Sequence, residues 1–403
     1  MTRLTGPRCG AVTGLLAAGV LLTACTGPAA TPSPTLAGGE STPEPTTCPA
    51  FVEPGCSSLP VAAVSPSPAT PPPATAGPTP ASLAGFQTAS VTFVSPQDGW
   101  VLGTVGSSLA LARTQDGGTT WTSVPPPPTG LFFEPASVGV SGIRFADQQD
   151  GWAYGSQLWA THDGGGSWTQ ISLPGLSSGG GAAPIEGLEI AAGLVYAVYF
   201  GPAGFEIASS PVASDSWTVS PTAVPTGAGA GPSAQLVIQG SAGWLIGNDR
   251  TVVGGASLQS GAWGSWTPLC TTVGGGAVLA VSSSEELFAA CDQGIWGGDP
   301  TVEERAYTST DGGASFSELA AVLPAPCNAL ASSSPSVAAA GCGSDLVATF
   351  NGGGNWSTVY AGAANTDIAY AGFTTSNQGV VITGPGTLLM TYDGGHTWAA
   401  VDI

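Results

Sequence analysis

The chain has 403 residues, of which 61 are glycine, 35 are proline and only 8% are charged, against about 25% in ordinary globular proteins. Six arginines, no lysine and 26 carboxylates give a formal charge of −20, which removes nucleic acid and anionic lipid headgroups from the candidate partners, since both need a basic footprint. Polarity rests on Ser, Thr, Asn and Gln instead. Two readings of that stay open: an acidic habitat, where carboxylates protonate and hydroxyls keep the surface wet, or a GC-rich genome.

Arg3 and Arg8 precede an apolar run at residues 11–22, too short to span a bilayer. It ends in Leu22-Thr23-Ala24-Cys25, which resembles the lipobox of bacterial lipoproteins. The resemblance implies a signal peptide at 1–24, lipid on the Cys25 thiol, and a protein held by that lipid on the outer face of the cytoplasmic membrane. The plainer alternative is an ordinary signal peptide with an incidental Cys25. Residues 26–80 hold 15 prolines among 55 residues, and the rest are mostly Thr, Ser, Ala and Gly. Such a segment buries too little apolar surface to fold, so 25–81 is predicted to be a disordered tether, of a composition often O-glycosylated. Six cysteines follow Cys25. In an oxidising compartment they are expected to pair with neighbours, Cys48 with Cys56, Cys270 with Cys291 and Cys327 with Cys342, although six cysteines allow fifteen connectivities.

The remaining stretch, 82–403, is repetitive. Thr114-Gln-Asp116-Gly117-Gly118-Thr-Thr-Trp121 returns at Thr161 to Trp168, with Asp163, and at Thr391 to Trp398, with Asp393. Near copies centre on Asp311, closing at Phe316, and on Asn351, closing at Trp356; two eroded copies close at Trp217 and Trp266. The closing aromatics are 47, 49, 49, 50, 40 and 42 residues apart, about the length of one four-stranded propeller blade. A second motif precedes the first: Phe93-Val-Ser-Pro-Gln-Asp98-Gly99-Trp100 matches Phe145 to Trp152 and reads as a hairpin with a tight turn.

Together these motifs resemble the Asp-box (bacterial neuraminidase repeat) propellers, and look most like the photosystem II assembly-factor type. The expected fold is all-β, a single seven-bladed propeller of four-stranded antiparallel blades over 82–403. In each box the paired glycines supply positive φ, the Ser/Thr hydroxyl and the carboxylate satisfy turn N–H groups, and the aromatic packs beneath. Asp116, Asp163, Asp311, Asn351 and Asp393 are therefore structural. His162 and His396 lie at variable box positions, are expected to face solvent, and make no metal site.

With strands lettered A to D outward from the channel, the A–B hairpins and C–D boxes share one face. The proposed disulfides Cys270–Cys291 and Cys327–Cys342 then lie on the other face, each tying a crossover to a B–C loop; a loop of about twenty residues closed in this way adds about 3 kcal/mol. That face also carries the candidate binding residues: Phe132, Phe133 and Glu134 in one loop, and Trp296, Glu303, Glu304 and Arg305 in another. Phe132 and Phe133 are open to a second reading, folding back over the seam between blades one and two. Arg144 and Glu189, on adjacent inner strands, are expected to pair at the channel wall, because a lone charge there is costly. The ring is expected to contain seven whole blades, its two ends meeting through side chains alone.

For function, the leading expectation is a monomeric, non-enzymatic binding or scaffold module at the cell envelope, without cofactor or metal, whose partner is a protein or glycan. The alternative is a glycoside hydrolase, since sialidases and some endoglucanases share the box. Sialidases of that family use an arginine triad, a Tyr–Glu pair and an acidic Asp; here only Arg113, Arg144, Arg250 and Arg305 lie in the folded part, and Arg113 directly precedes a box threonine. The endoglucanases use a cleft between two propellers. An assembly factor for a membrane complex is the third possibility, although the arginine patch of that family is missing.

Overall fold

The computed structural model describes residues 82–132, 138–174, 176, 184–225, 233–249, 251–271, 276–291, 304–324, 327–364 and 366–403. Cys25, Cys48, Cys56, Phe133, Glu134, Trp296 and Glu303 lie outside them. The described chain contains strands and no helix, in seven sheets of consecutive strands: six are four-stranded and antiparallel, and in the second a short parallel strand, Gly130–Leu131, precedes the four antiparallel ones. Their inner strands are Phe86–Phe93, Gly139–Phe145, Ile185–Ala191, Ser233–Gln239, Ala277–Val281, Cys327–Ser334 and Ile368–Phe373. Seven apolar clusters each join two neighbouring sheets, blade one to two through to blade seven to one. Seven blades and seven seams make a closed seven-bladed propeller.

Strand B is buried almost throughout, as in Gly99–Val105 and Leu287–Cys291. A sheet covered by a blade on each side reads as a continuous apolar run rather than an alternating one. Strand D faces solvent, and in blades one, two and seven it is only two or three residues long, as in Thr122–Val124, which limits the exposed edge there.

The five intact boxes share one hydrogen-bond pattern. Thr114 Oγ1 accepts from Gly118 N at 2.8 Å and donates to Asp116 Oδ1 at 2.9 Å; that carboxylate accepts from Thr120 N at 2.8 Å and from Thr120 Oγ1 at 2.6 Å. Asp163, Asp311 and Asp393 repeat it, and Asn351 substitutes its amide, accepting from Asn355 N at 3.1 Å. The turn requires left-handed backbone, φ +74° and +94° at Gly117 and Gly118, and a Cβ at Gly118 would lie 2.7 Å from Met390 Sδ of blade seven. Each box is also tied to the A–B turn of its own blade, as by Gly117 N to Gln97 O at 2.9 Å.

Blade four departs from the sequence expectation. Its outer strands join through Ser260 and Gly261, at φ +52° and +80°, a two-residue hairpin that replaces the box. Leu258 faces Gly243 as Thr114 faces Gly99, and Trp263 faces Leu258. Trp263 therefore takes the closing position assigned to Trp266. Trp266 ends the strand and donates to Gly313 O of the next blade at 2.9 Å. The even spacing through Trp266 is a coincidence of three residues.

Cys270–Cys291 links the crossover after blade four to the end of strand B in blade five, with Cα atoms 5.6 Å apart. Cys327–Cys342 does not reach a crossover. The two residues face each other on strands A and B of blade six, Cα–Cα 4.0 Å.

The terminal seam is not held by side chains alone. Thr88 N donates to Gly386 O at 2.8 Å, alongside Gln378 Nε2 to Pro96 O at 2.9 Å and Tyr392 Oη to Gly117 O at 2.8 Å. No strand passes from one terminal blade into the other, whereas the seam between blades four and five carries a disulfide. In hydrogen exchange, residues 86–125 and 366–403 should lose protection before blades three to five as denaturant rises. Simultaneous loss in every blade would contradict this.

Candidate functional site

The inner strands of blades one, two, three, six and seven share an irregularity near their beginnings. The register shifts between Thr88 and Ser90, Val140 and Gly142, Ile185 and Gly187, Cys327 and Ala329, and Ile368 and Tyr370. Each shift leaves one bulged residue: Ala89, Ser141, Glu186, Asn328 or Ala369. A bulge re-aims a side chain that strict alternation would place on the other face. Four of these residues, Ala89, Ser141, Glu186 and Ala369, line a cavity of about 300 Å³ together with Phe132 and Tyr154. Strand A starts on the face opposite the boxes, so this cavity is the channel mouth on that face.

Deeper in the channel a second cavity, of about 380 Å³, runs past Glu186, Glu189, Gln235 and Ser332. Arg144 and Tyr370 line both cavities, and a third of about 240 Å³ toward the box face. Arg144 donates through Nη2 and Nε to Glu189 Oε1 at 3.2 and 3.3 Å and through Nη1 to Ile143 O at 2.9 Å. The expected pair is present. Its guanidinium also lies 5.7 Å from the Tyr370 ring centroid, within range of a cation–π attraction. Burial disfavours the Arg144 charge, but Glu189 beside it more than restores it, and the group is held above its ordinary value.

Tyr154 reaches the channel because it faces Gly142, where a Cβ would lie 2.2 Å from the Tyr154 ring. Burial raises the Tyr154 and Tyr370 hydroxyls, so both stay neutral donors. Glu186 differs from Glu189. Burial pushes its carboxyl up to about 7, relieved only by the Ala234 N–H. Among the described residues no cation offsets it, because Arg144 is engaged by Glu189.

A folded-state value raised from 4.5 to about 7 means that Glu186 holds its proton more tightly folded than unfolded. Stability from this group is complete below pH 4.5 and is lost as pH rises to about 7, a change on the order of 3 kcal/mol. Glu186→Gln should therefore be near neutral at pH 4 and stabilising at pH 8, read as the urea midpoint at each pH. An unchanged slope between the two pH values would contradict the assignment.

The sequence candidates on this face separate. Phe132 lines the mouth, directly after a short segment, Gly130–Leu131, that pairs parallel with the start of Gly139–Phe145. Leu131 instead packs into the seam between blades one and two. Glu304 is 2% exposed and accepts from Cys327 N, so it ties strand C of blade five to the start of strand A in blade six and is no surface ligand. Arg305 Nη1 lies 2.9 Å from Glu318 Oε1 on the outer strand of the same blade, away from the channel. His162 is exposed, as expected, but is held by two carboxylates. It bridges Asp150 of its own blade at 2.5 Å and Asp215 of blade three at 3.2 Å, which raises its pKa, chiefly through Asp150. His396 stacks on Phe350 at 3.8 Å. Among the described residues no group of three or more His, Cys, Asp or Glu gathers to hold a metal.

Glu186, Tyr154 and Tyr370 were not expected. Only the two carboxylates of Ile185-Glu-Gly-Leu-Glu189, three apart, hinted that both could face the channel, and that needs the bulge.

No protein-family profile matches this chain, and no curated protein matches it by sequence. Solved structures match by fold. A structure described as YCF48 bound to D1 peptide has TM-score 0.53 at 20% identity, covering 76% of this chain and 93% of that one. YCF48 from Cyanidioschyzon merolae has TM-score 0.54 at 14% identity, covering 76% and 95%. The GH74 xyloglucanase from Xanthomonas campestris has TM-score 0.48 at 12% identity, and the match covers 78% of this chain and 60% of that one. At these identities the likeness shows the propeller fold alone.

Proposed function

We propose that this chain is a non-enzymatic, Asp-box propeller that binds a segment of another envelope protein at the channel mouth opposite the boxes. The observation that carries this reading is the set of bulged residues aimed into one cavity, with Phe132, Tyr154 and an uncompensated Glu186 around it. The box carboxylates serve their own turns, which supports binding rather than hydrolysis by those groups. A propeller of the same fold holding a peptide supports the class of partner. The protein acts as a monomer outside the cytoplasmic membrane. Residues 1–24 are its signal peptide, Cys25 carries the lipid, and 25–81 spaces the propeller from the bilayer.

Two measurements test this. Affinity isolation of the full chain from native membranes should recover one protein in near-stoichiometric amount, with no sugar released from sialosides or β-glucans. Turnover of either glycan, or the absence of any stoichiometric protein, would refute the reading. Mass spectrometry of the native protein should find lipidated Cys25 at the mature N-terminus; an unmodified Cys25 would remove the anchor.

A further inference from the structure

We propose that the channel mouth is a receptor for a cationic side chain, a lysine or arginine presented by the protein partner, with Glu186 as its counter-ion. The inference rests on the binding function proposed above and names what enters the site.

The same backbone device, a one-residue bulge near the start of the inner strand, recurs in blades one, two, three, six and seven. Four of those blades place an uncharged residue there: Ala89, Ser141, Asn328 and Ala369. Only blade three places a carboxylate, and it lines both the mouth and the deeper cavity. A half-buried carboxylate held by a single backbone N–H, that of Ala234, is destabilising when charged, and the fold could have closed this position with alanine or serine as its neighbours do. Among the described residues only the Ala234 N–H relieves that penalty: Arg144, the one described cation lining these cavities, is bound to Glu189, and the remaining described titratable groups facing the space, Tyr154 and Tyr370, are neutral.

The surroundings suit a cation. Tyr154 and Phe132 line the mouth with aromatic rings, and such rings attract ammonium and guanidinium groups once desolvated. Cavities of about 300 and 380 Å³ admit an extended basic side chain but not a folded domain, so the cation must stand on a protruding segment. The carboxylate at Glu189 is already satisfied by two guanidinium contacts, which leaves Glu186 as the anion that a guest would neutralise. Binding would thereby remove the burial penalty that Glu186 imposes on the empty propeller, and would be coupled to its ionisation.

Calorimetry of the full chain at pH 8 provides the test, using capped Ala-Lys-Ala, capped Ala-Arg-Ala, the neutral isostere capped Ala-norleucine-Ala, and spermidine as a free cation. The basic tripeptides should bind at least tenfold more tightly than the norleucine peptide and than spermidine, and Glu186→Gln should remove that preference. Glu186→Gln is expected to be folded and stabilised, so loss of binding in it cannot be assigned to unfolding. In ¹³C-carboxyl NMR the Glu186 titration should move down by at least one pH unit when the basic peptide saturates the site. Equal binding of the lysine and norleucine peptides, retained preference in Glu186→Gln, or tighter binding of spermidine would each overturn the inference. If the envelope partner is still captured stoichiometrically by Glu186→Gln, the cation site is refuted while the binding function survives.

Discussion

Replacing Arg144 with methionine should destabilise the propeller by about 3–5 kcal/mol, the usual consequence of removing one member of a buried ion pair, and should lower the melting temperature by on the order of 10 °C. The side chain is 16% exposed and Glu189 is 29% exposed, so neither is fully screened by water. Arg144 links four blades: it pairs with Glu189 on blade three, bonds Ile143 O of its own blade, donates to Val91 O of blade one at 3.5 Å, and lies against Tyr370 of blade seven. Loss of the cation leaves Glu189 and Glu186 as two uncompensated carboxylates in one channel. The double variant Arg144→Met/Glu189→Gln should recover most of the loss, because the coupling resides in the pair. The single variant should also regain stability toward pH 4, where protonation removes the stranded charge. A single variant within about 1 kcal/mol of the parent at pH 8 would show that the channel is wet enough to make the pair dispensable.

Trp100→Ala should cost about as much, roughly 3–5 kcal/mol, by opening a large cavity at the seam between blades one and two. Trp100 is fully buried, stacks on Phe145 at 3.9 Å, and carries the Arg113 guanidinium 4.7 Å from its ring. Its Nε1 donates to Gly164 O in the next blade's box at 3.2 Å, as Trp244 Nε1 donates to Gly312 O at 3.0 Å. Trp152 occupies the same position in blade two, but blade three has lost its box, and Trp152 Nε1 has no protein partner. Phenylalanine therefore makes the finer comparison. Trp100→Phe and Trp244→Phe should each lose about 1 kcal/mol more than Trp152→Phe, the net value of one buried hydrogen bond. Chemical denaturation of the three variants reads this directly; equal losses would mean that the bond to the box contributes nothing.

The fold was legible because the box is a local device: its hydroxyl, carboxylate and paired glycines lie within eight residues, and five copies in register count blades. Where the local device is gone, the sequence misleads. Ser260-Gly261 turns blade four without a box, and the tryptophan nearest the expected spacing, Trp266, turns out to belong to the next seam. The pairing of Arg144 with Glu189 was legible because both residues precede matched positions of adjacent inner strands. The rest of the site was not. A bulge carries no signature in a chain this rich in small residues, so Glu186 reads as an outward-facing residue of a half-polar strand. Glu304 misled in the opposite direction, since its charge suggested a surface while its fold neighbour, the Cys327 N–H, takes it inside.

The electrostatics set a pH window as well. The box aspartates are held below the usual range by their own turn hydroxyls and N–H groups, Asp311 and Asp393 to about 2. Their stabilising contribution is present above pH 3.8 and is lost only as pH falls through about 2. Glu186 and His162, both raised, favour the acid side, and their contributions are lost as pH rises. The stability maximum should therefore lie in the mildly acidic range, about pH 4–6, as a pH series of urea midpoints would show.

The proposed docking of a protein partner takes place at the mouth opposite the boxes. Site-specific photo-crosslinking in native membranes addresses it most directly, with benzoylphenylalanine placed at Phe132, on that mouth, or at Gln97, exposed on an A–B turn of the box face. A discrete protein adduct from position 132 and none from position 97 is the result the account predicts. An adduct confined to position 97, or none from either position while the partner co-purifies, would contradict it.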